Sequence, residues 1–263
     1  MRQCTRLPET EPMTHRPLPR PRTWPATLGR VLADALLPCA CALCGARCQA
    51  AVCAPCHAQF LGSRGPRCRR CANPLGEADA RSLCGPCQAH PSAYDATVTA
   101  ADYSAPLDQL VLQLKFGGAL ALAPWFGAAL GAAVKAQDDL ELPNLLCPVP
   151  LGPLRLGERG FNQALEIARP LARSIGIPLR AALAIRALDT VAQSSVAPAE
   201  RKKNIRDAFI VAPDALALVR GQHIGVVDDV MTSGATLNEL AATFKRFGAV
   251  RITNFVFART PPR

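Results

Sequence analysis

The sequence predicts an α/β protein in which a parallel-sheet, Rossmann-like domain is preceded by a small cysteine-rich zinc-ribbon domain. Three observations carry that expectation. From Tyr94 onward, apolar runs alternate with helix-periodic stretches, the pattern of a parallel sheet covered on both faces. Before that point, eight of the 12 cysteines fall into four C-x-x-C pairs. Across the 263 residues, 49% are hydrophobic and 19% charged, a globular composition that excludes wholesale disorder.

Each element has its own signal. Residues 97–102 (T-V-T-A-A-D) read as a strand, and 106–116 as an amphipathic helix with Leu107, Leu110, Val111 and Leu114 on one face. The longest apolar run, 119–134, contains Pro124 and several glycines and falls short of the roughly 20 residues a membrane helix needs. It reads as a buried helix, and no membrane span is expected. Residues 145–149 form a strand, 161–175 a helix, and 223–227 a fully buried strand. A helix over 234–247 turns Leu237, Leu240, Ala241 and Phe244 inward, and 251–257 is a closing strand. On such sheets ligands sit at the carboxyl ends of the strands.

The expected organisation is a Pro/Arg-rich disordered tail over 1–38, a double zinc ribbon over 39–90, and the α/β domain over 91–263. The tail has arginines and prolines but no apolar h-region, so it is not a secretory signal and a cytoplasmic location is expected. Thiols stay reduced there. The pairs Cys41/Cys44, Cys53/Cys56, Cys68/Cys71 and Cys84/Cys87 therefore read as zinc knuckles, two per tetrahedral ion, for about two structural zinc ions. Sequential pairing is favoured over interleaving, and spacing leaves both open. Cys39 and Cys48 stand close enough to compete as ligands, and His57 directly follows Cys56. Cys147, in L-L-C-P-V, reads as a small buried hydrophobe. Arg47, Arg64, Arg67, Arg69, Arg70 and Arg81 either line a nucleic-acid contact or keep a thinly cored module soluble. The net charge of +10 favours polyanionic partners, and aromatics at 5% leave little surface for base stacking.

The most informative stretch is H-I-G-V-V-D-D-V-M-T-S-G-A-T, residues 223–236. A buried strand delivers Asp228 and Asp229 to the sheet edge. A loop of small and hydroxyl residues follows, Thr232, Ser233, Gly234, Ala235 and Thr236, and then a helix begins. Loop amides and a helix N-terminus make an anion seat. Two carboxylates beside it can accept hydrogen bonds from vicinal sugar hydroxyls, so a 5-phosphorylated ribose fits the combination. The competing structural role is a helix cap with two edge aspartates.

This stretch looks like the PRPP-binding signature of type I phosphoribosyltransferases, and the surrounding chain is similar to the ComF family. Members of that family join a cysteine-rich zinc ribbon to such a domain. The matching segments are L-V-L-Q-L-K-F-G-G (110–118), P-V-P-L-G-P-L-R-L-G-E-R-G-F-N-Q-A (148–164) and R-A-L-D-T-V-A-Q-S-S-V-A-P-A-E-R-K-K-N (186–204). With the knuckles, the resemblance covers about 39–259. It implies a PRPP and magnesium site built on Val230, Met231, Thr232, Ser233, Gly234, Ala235 and Thr236, with Lys115, Arg155 and Gly160 on the phosphates. Asp228, Asp229, Arg159 and Arg201 would carry the chemistry. Residues 186–206 hold Arg186, Arg201, Lys202, Lys203 and Arg206 against Asp189 and Glu200; they read as a basic lid or a flexible linker. The resemblance favours the lid, with Thr190, Gln193, Arg201 and Asn204 matching the family pattern. It implies pentosyl transfer to an unidentified acceptor, with a role in natural competence and DNA uptake alongside single-stranded DNA and DNA-uptake or recombination proteins. The alternative is a catalytically silent single-stranded DNA-binding transformation factor that uses the phosphoribosyl site as a ligand sensor.

Overall fold

The computed structural model describes residues 39–62, 65–76, 83–187 and 208–261. The tail over 1–38 and the basic segment over 188–207, with Thr190, Gln193, Arg201 and Asn204, lie outside the described residues, as do Arg64 and Arg81.

Chain order begins with a two-residue ladder, β1 (Cys39–Ala40) and β2 (Arg47–Cys48), followed by the helices α1 (Ala54–Leu61) and α2 (Gly85–Ala89). The α/β part runs β3 (Ala96–Asp102), α3 (Leu107–Phe116), α4 (Leu122–Lys135), β4 (Leu145–Pro148), α5 (Pro153–Arg159) and α6 (Gln163–Ile175). A short antiparallel pair follows, β5 (Ala184–Arg186) with β6 (Phe209–Val211). The chain then passes through α7 (Leu216–Val219), β7 (His223–Met231), α8 (Ala235–Arg246) and β8 (Arg251–Arg259).

Four strands form one parallel sheet in the order β3-β8-β7-β4. Alternation along β8 defines its two faces: Ile252 and Val256 join one apolar cluster, Phe255 and Phe257 the other. Leu237, Leu240, Ala241 and Phe244 of α8 pack into the first cluster. Leu107, Leu110, Val111 and Leu114 of α3 pack into the second, with α4 and α6. Both quartets match the predicted faces. The expected buried helix is α4, which lies so close to α6 that a Cβ on Gly127 would meet Pro170 Cγ at 2.5 Å. Among the described residues no helix is long and apolar enough to cross a membrane.

Two strands outrun their predicted ends. β7 continues from Val227 to Met231 and β8 from Phe257 to Arg259, because each supplies the other's ladder partners: Val230 opposite Ala258 and Met231 opposite Arg259. Val230 and Met231, named above only as site residues, therefore belong to the strand. The expected turn after β4 contains the helix α5, closed by Gly160 at φ +77°. The pair β5–β6 brackets the basic segment and carries no periodic signal long enough to read.

Candidate functional site

Asp228 and Asp229 stand near the carboxyl end of β7. Asp229 is 3% exposed, and Asp228 is half-buried. Their carboxylates fold back on the strand: Asp229 N donates to Asp228 Oδ1 at 2.9 Å and Val230 N to Asp229 Oδ1 at 2.7 Å. Lys115, at the end of α3, brings Nζ to 2.9 Å from Asp229 Oδ2, an ion pair without the alignment of a hydrogen bond. Burial, and then the charge of Asp229, push the Asp228 carboxyl up to about 8 despite the opposing pull of Lys115.

The chain then turns through exposed Thr232 and Ser233 into Gly234. Gly234 sits at φ +77°, a left-handed conformation that favours glycine, and a Cβ there would also meet Met231 Cε at 2.6 Å, the flexible end of a side chain, and Tyr94 Oη at 3.1 Å. Helix α8 starts with no side-chain cap on its N-cap residue. The hydroxyl of Ser233 accepts only a long bond, 3.4 Å, from Ala235 N. The first-turn amides, with Ala235 and Thr236 half-buried, thus face outward at the positive end of the helix dipole.

A cavity of about 260 Å³ beside the carboxylates is lined by Lys115, Phe116, Arg155, Glu158, Arg159 and Phe161. The Arg159 guanidinium lies over the Phe116 ring, 5.3 Å from its centroid, and donates to Gln163 Oε1. Burial lowers the pKa of Arg159 while the charge of Asp229 opposes it. The structure thus brings together Lys115, Arg155, Arg159, Asp228 and Asp229; Arg201 lies outside the described residues. Phe116, 75% exposed, and Gln163, 6% exposed, were not singled out from sequence. The i, i+4 spacing of Arg159 and Gln163 is the one local hint for the latter.

The eight C-x-x-C cysteines gather sequentially, Cys41, Cys44, Cys53 and Cys56 in one group and Cys68, Cys71, Cys84 and Cys87 in the other, each with its sulfurs within 4.8 Å of one another. Cys44 and Cys53 are 3.7 Å apart at Sγ, and Cys71 and Cys84 3.4 Å. A tetrahedral thiolate shell with Zn–S near 2.3 Å needs roughly 3.8 Å between sulfurs, so zinc fits both groups. In each group the first cysteine is the readiest thiolate. Burial opposes the charge on Cys41, but backbone N–H groups of Cys53, Cys44 and Leu43 outweigh it and hold the thiol down at about 6. Cys68 is held at about 7 against burial by N–H groups of Cys84, Cys71 and Arg70. Cys39 and Cys48 face each other across β1–β2 outside both groups. His57 packs edge-on against Trp125 rather than joining a group. Cys147 is buried in β4, its thiol pushed up to about 12 by burial.

The ribbon arginines divide by environment. Arg67 makes a two-pronged bond to Asp102, 2.9 Å on each oxygen, and Arg70 donates to Cys87 O. Arg47 and Arg69 are exposed.

Strand order, uncapped helix and cysteine groups define a class: a phosphoribosyltransferase-type α/β domain carrying a double zinc ribbon. The Phosphoribosyl transferase domain family matches residues 162–262, and the Double zinc ribbon domain family matches 32–88. The chain is 32% identical over 212 residues to the DNA utilization protein YhgH of Salmonella typhi, covering 80% of this chain and 90% of that one. It is 29% identical over 215 residues to Competence protein F of Haemophilus influenzae, covering 79% and 90%. The glutamine PRPP amidotransferase of B. subtilis overlays at TM-score 0.33 and 18% identity, over 51% of this chain and 26% of that one. The chain belongs to the ComF family.

Proposed function

We propose that the chain binds PRPP with magnesium at the carboxyl edge of its sheet and transfers the phosphoribosyl group to an acceptor nitrogen. We place this activity in the cytoplasm and in DNA uptake, following relatives named for DNA utilization and competence. In this reading residues 39–90 are the double zinc ribbon and 91–263 the phosphoribosyltransferase-like domain. The observation that carries it is the carboxylate pair Asp228–Asp229 standing between the uncapped start of α8 and the cavity of Lys115, Arg155 and Arg159.

The roles follow from the chemistry. Amides over 232–236, with the Thr232, Ser233 and Thr236 hydroxyls, take the 5-phosphate. Asp228 and Asp229 accept from the ribose hydroxyls, which orients C1 toward the cationic cavity. Arg155, Arg159 and Lys115 receive the departing pyrophosphate, and Gly160 leaves room for its approach. The carboxylate oxygens of Asp228 and Asp229 fit a hard divalent cation, and magnesium arriving with PRPP would neutralise leaving-group charge. What the chain contributes is positioning and charge stabilisation at the oxocarbenium-like centre.

A second reading, a catalytically silent single-stranded DNA-binding transformation factor that uses the phosphoribosyl site as a ligand sensor, is favoured by the exposure of Arg47 and Arg69 on the ribbons. Calorimetric titration of PRPP and magnesium tests the site that both readings use, and release of pyrophosphate from bound PRPP separates transfer from sensing. Micromolar binding that Asp228→Asn with Asp229→Asn abolishes, in folded zinc-loaded protein, supports the phosphoribosyl site. Absence of binding in the wild type leaves DNA binding without the sensor.

A further inference from the structure

Arg259 is the last residue of β8 and is 7% exposed. Its donors go to backbone carbonyls of separate segments. Nε donates to Cys71 O at 3.0 Å, and Nη1 donates to Met231 O at 3.0 Å and to Thr232 O and Thr260 O. Cys71 belongs to the second four-cysteine group, and Met231–Thr232 lead into the anion seat of α8. Burying a guanidinium is costly unless its hydrogen bonds are made. Its rigid fork of donors spans carbonyls farther apart than the donors clustered on a lysine's single nitrogen.

The space around this side chain strengthens the point. A cavity of about 480 Å³ lies between the second four-cysteine group and the start of α8, lined by Cys71, Cys87, Tyr94, Ser233, Ala235 and Arg259. Arg259 reaches across it to Cys71 O, Tyr94 places its Oη beside Gly234, and Ala93 N donates to Asn238 Oδ1 at 2.7 Å. The first four-cysteine group packs into the opposite apolar cluster, with α4 and α6.

We propose that Arg259 is a positioning residue that couples metal occupancy of the second cysteine group to the shape of the phosphate seat. A bound zinc fixes the Cys71 carbonyl, Arg259 carries that constraint to Met231 and Thr232, and the amides after Thr232 are held for a phosphate. Linkage makes the effect mutual: a phosphate in the seat tightens zinc in the second group and leaves the first group alone. This rests on the phosphoribosyl reading above.

The test uses full-length zinc-loaded protein, with ribose 5-phosphate and pyrophosphate, each with magnesium, as separate probes. Arg259→Gln should weaken ribose 5-phosphate about tenfold and leave pyrophosphate, held by Arg155 and Arg159, unchanged. Arg259→Lys, which keeps the charge without the fork, should not restore it. In the wild type, ribose 5-phosphate should slow release of one of the two zinc ions to a chromophoric chelator, and in Arg259→Gln it should slow neither. Equal weakening of both probes, or of neither, overturns the coupling, as does zinc release indifferent to ribose 5-phosphate. If Arg259→Gln does not fold, the wild-type release measurement decides. Wild-type protein that binds neither probe brings down the phosphoribosyl reading and the coupling with it; binding without the Arg259 effect brings down the coupling alone.

Discussion

The first four-cysteine group packs beneath α4, with His57 edge-on to Trp125 and Cys44 exposed, whereas the second is built into the opposite face of the sheet. Around the second group, Thr97 N donates to Arg69 O, Thr97 Oγ1 to Arg70 O, Arg67 braces Asp102, and Arg259 reaches Cys71 O. Two sites of the same ligand set thus hold different things. The first meets the α/β part through apolar packing, while the second also shares hydrogen bonds with strand ends, and through Arg259 it is tied to the carbonyls of Met231 and Thr232. Identical metal chemistry does not imply equal weight in the fold; the connections of the knuckle backbone decide it.

The largest effect should therefore be asymmetric. Cys87→Ser, in the second group, should cost about 3 kcal/mol or more of unfolding free energy and release one zinc. Cys44→Ser should also release one zinc but cost clearly less, as read by denaturant midpoint with metal content. Equal losses would break the comparison.

A second prediction separates the phosphate edge from both metal groups. Asp228 titrates near 8 in the folded chain against an ordinary 3.8. Between those values the folded protein holds a proton that the unfolded chain has lost. The Asp228 contribution therefore favours folding most below the lower value and declines as pH rises toward the upper one. The stability difference between wild type and Asp228→Asn should drift across that window, and the corresponding difference for Arg69→Gln, which alters neither a shifted group nor a metal ligand, should not. PRPP binding, which needs the ionised carboxylate, should release a proton below about 8 and tighten as pH rises toward that value, with the release vanishing above it. A flat difference would place Asp228 in a solvated, unshifted environment.

The smallest effect belongs to the exposed arginines. Arg69→Gln should change stability by no more than about 0.5 kcal/mol, because its side chain is solvated and only its carbonyl is used. If single-stranded DNA binds the ribbons, the same change should weaken it and flatten its salt dependence. Destabilisation by more than that would mean the side chain braces the second group as Arg67 does.

Composition, period and spacing determined much of this protein before any coordinates. The strand–helix alternation gave the parallel sheet, the i, i+3, i+4 apolar positions gave the buried faces of α3 and α8, and C-x-x-C spacing gave the four cysteine pairs. D-D-V-M-T-S-G-A-T marked the phosphate edge because a carboxylate pair, a glycine turn and a helix start are all local features. Tertiary structure decided what depends on partners distant in the chain. Met231 and Arg259 are strand only because they pair with each other. Lys115 meets Asp229 across 114 positions of chain, a separation no window of sequence can read. Sequential cysteine grouping, the division of the ribbon arginines and the reach of Arg259 from β8 to Cys71 arise in the same way. Local sequence sets backbone preference and the pattern of burial; which buried donor meets which carbonyl is fixed only when the strands are brought into register.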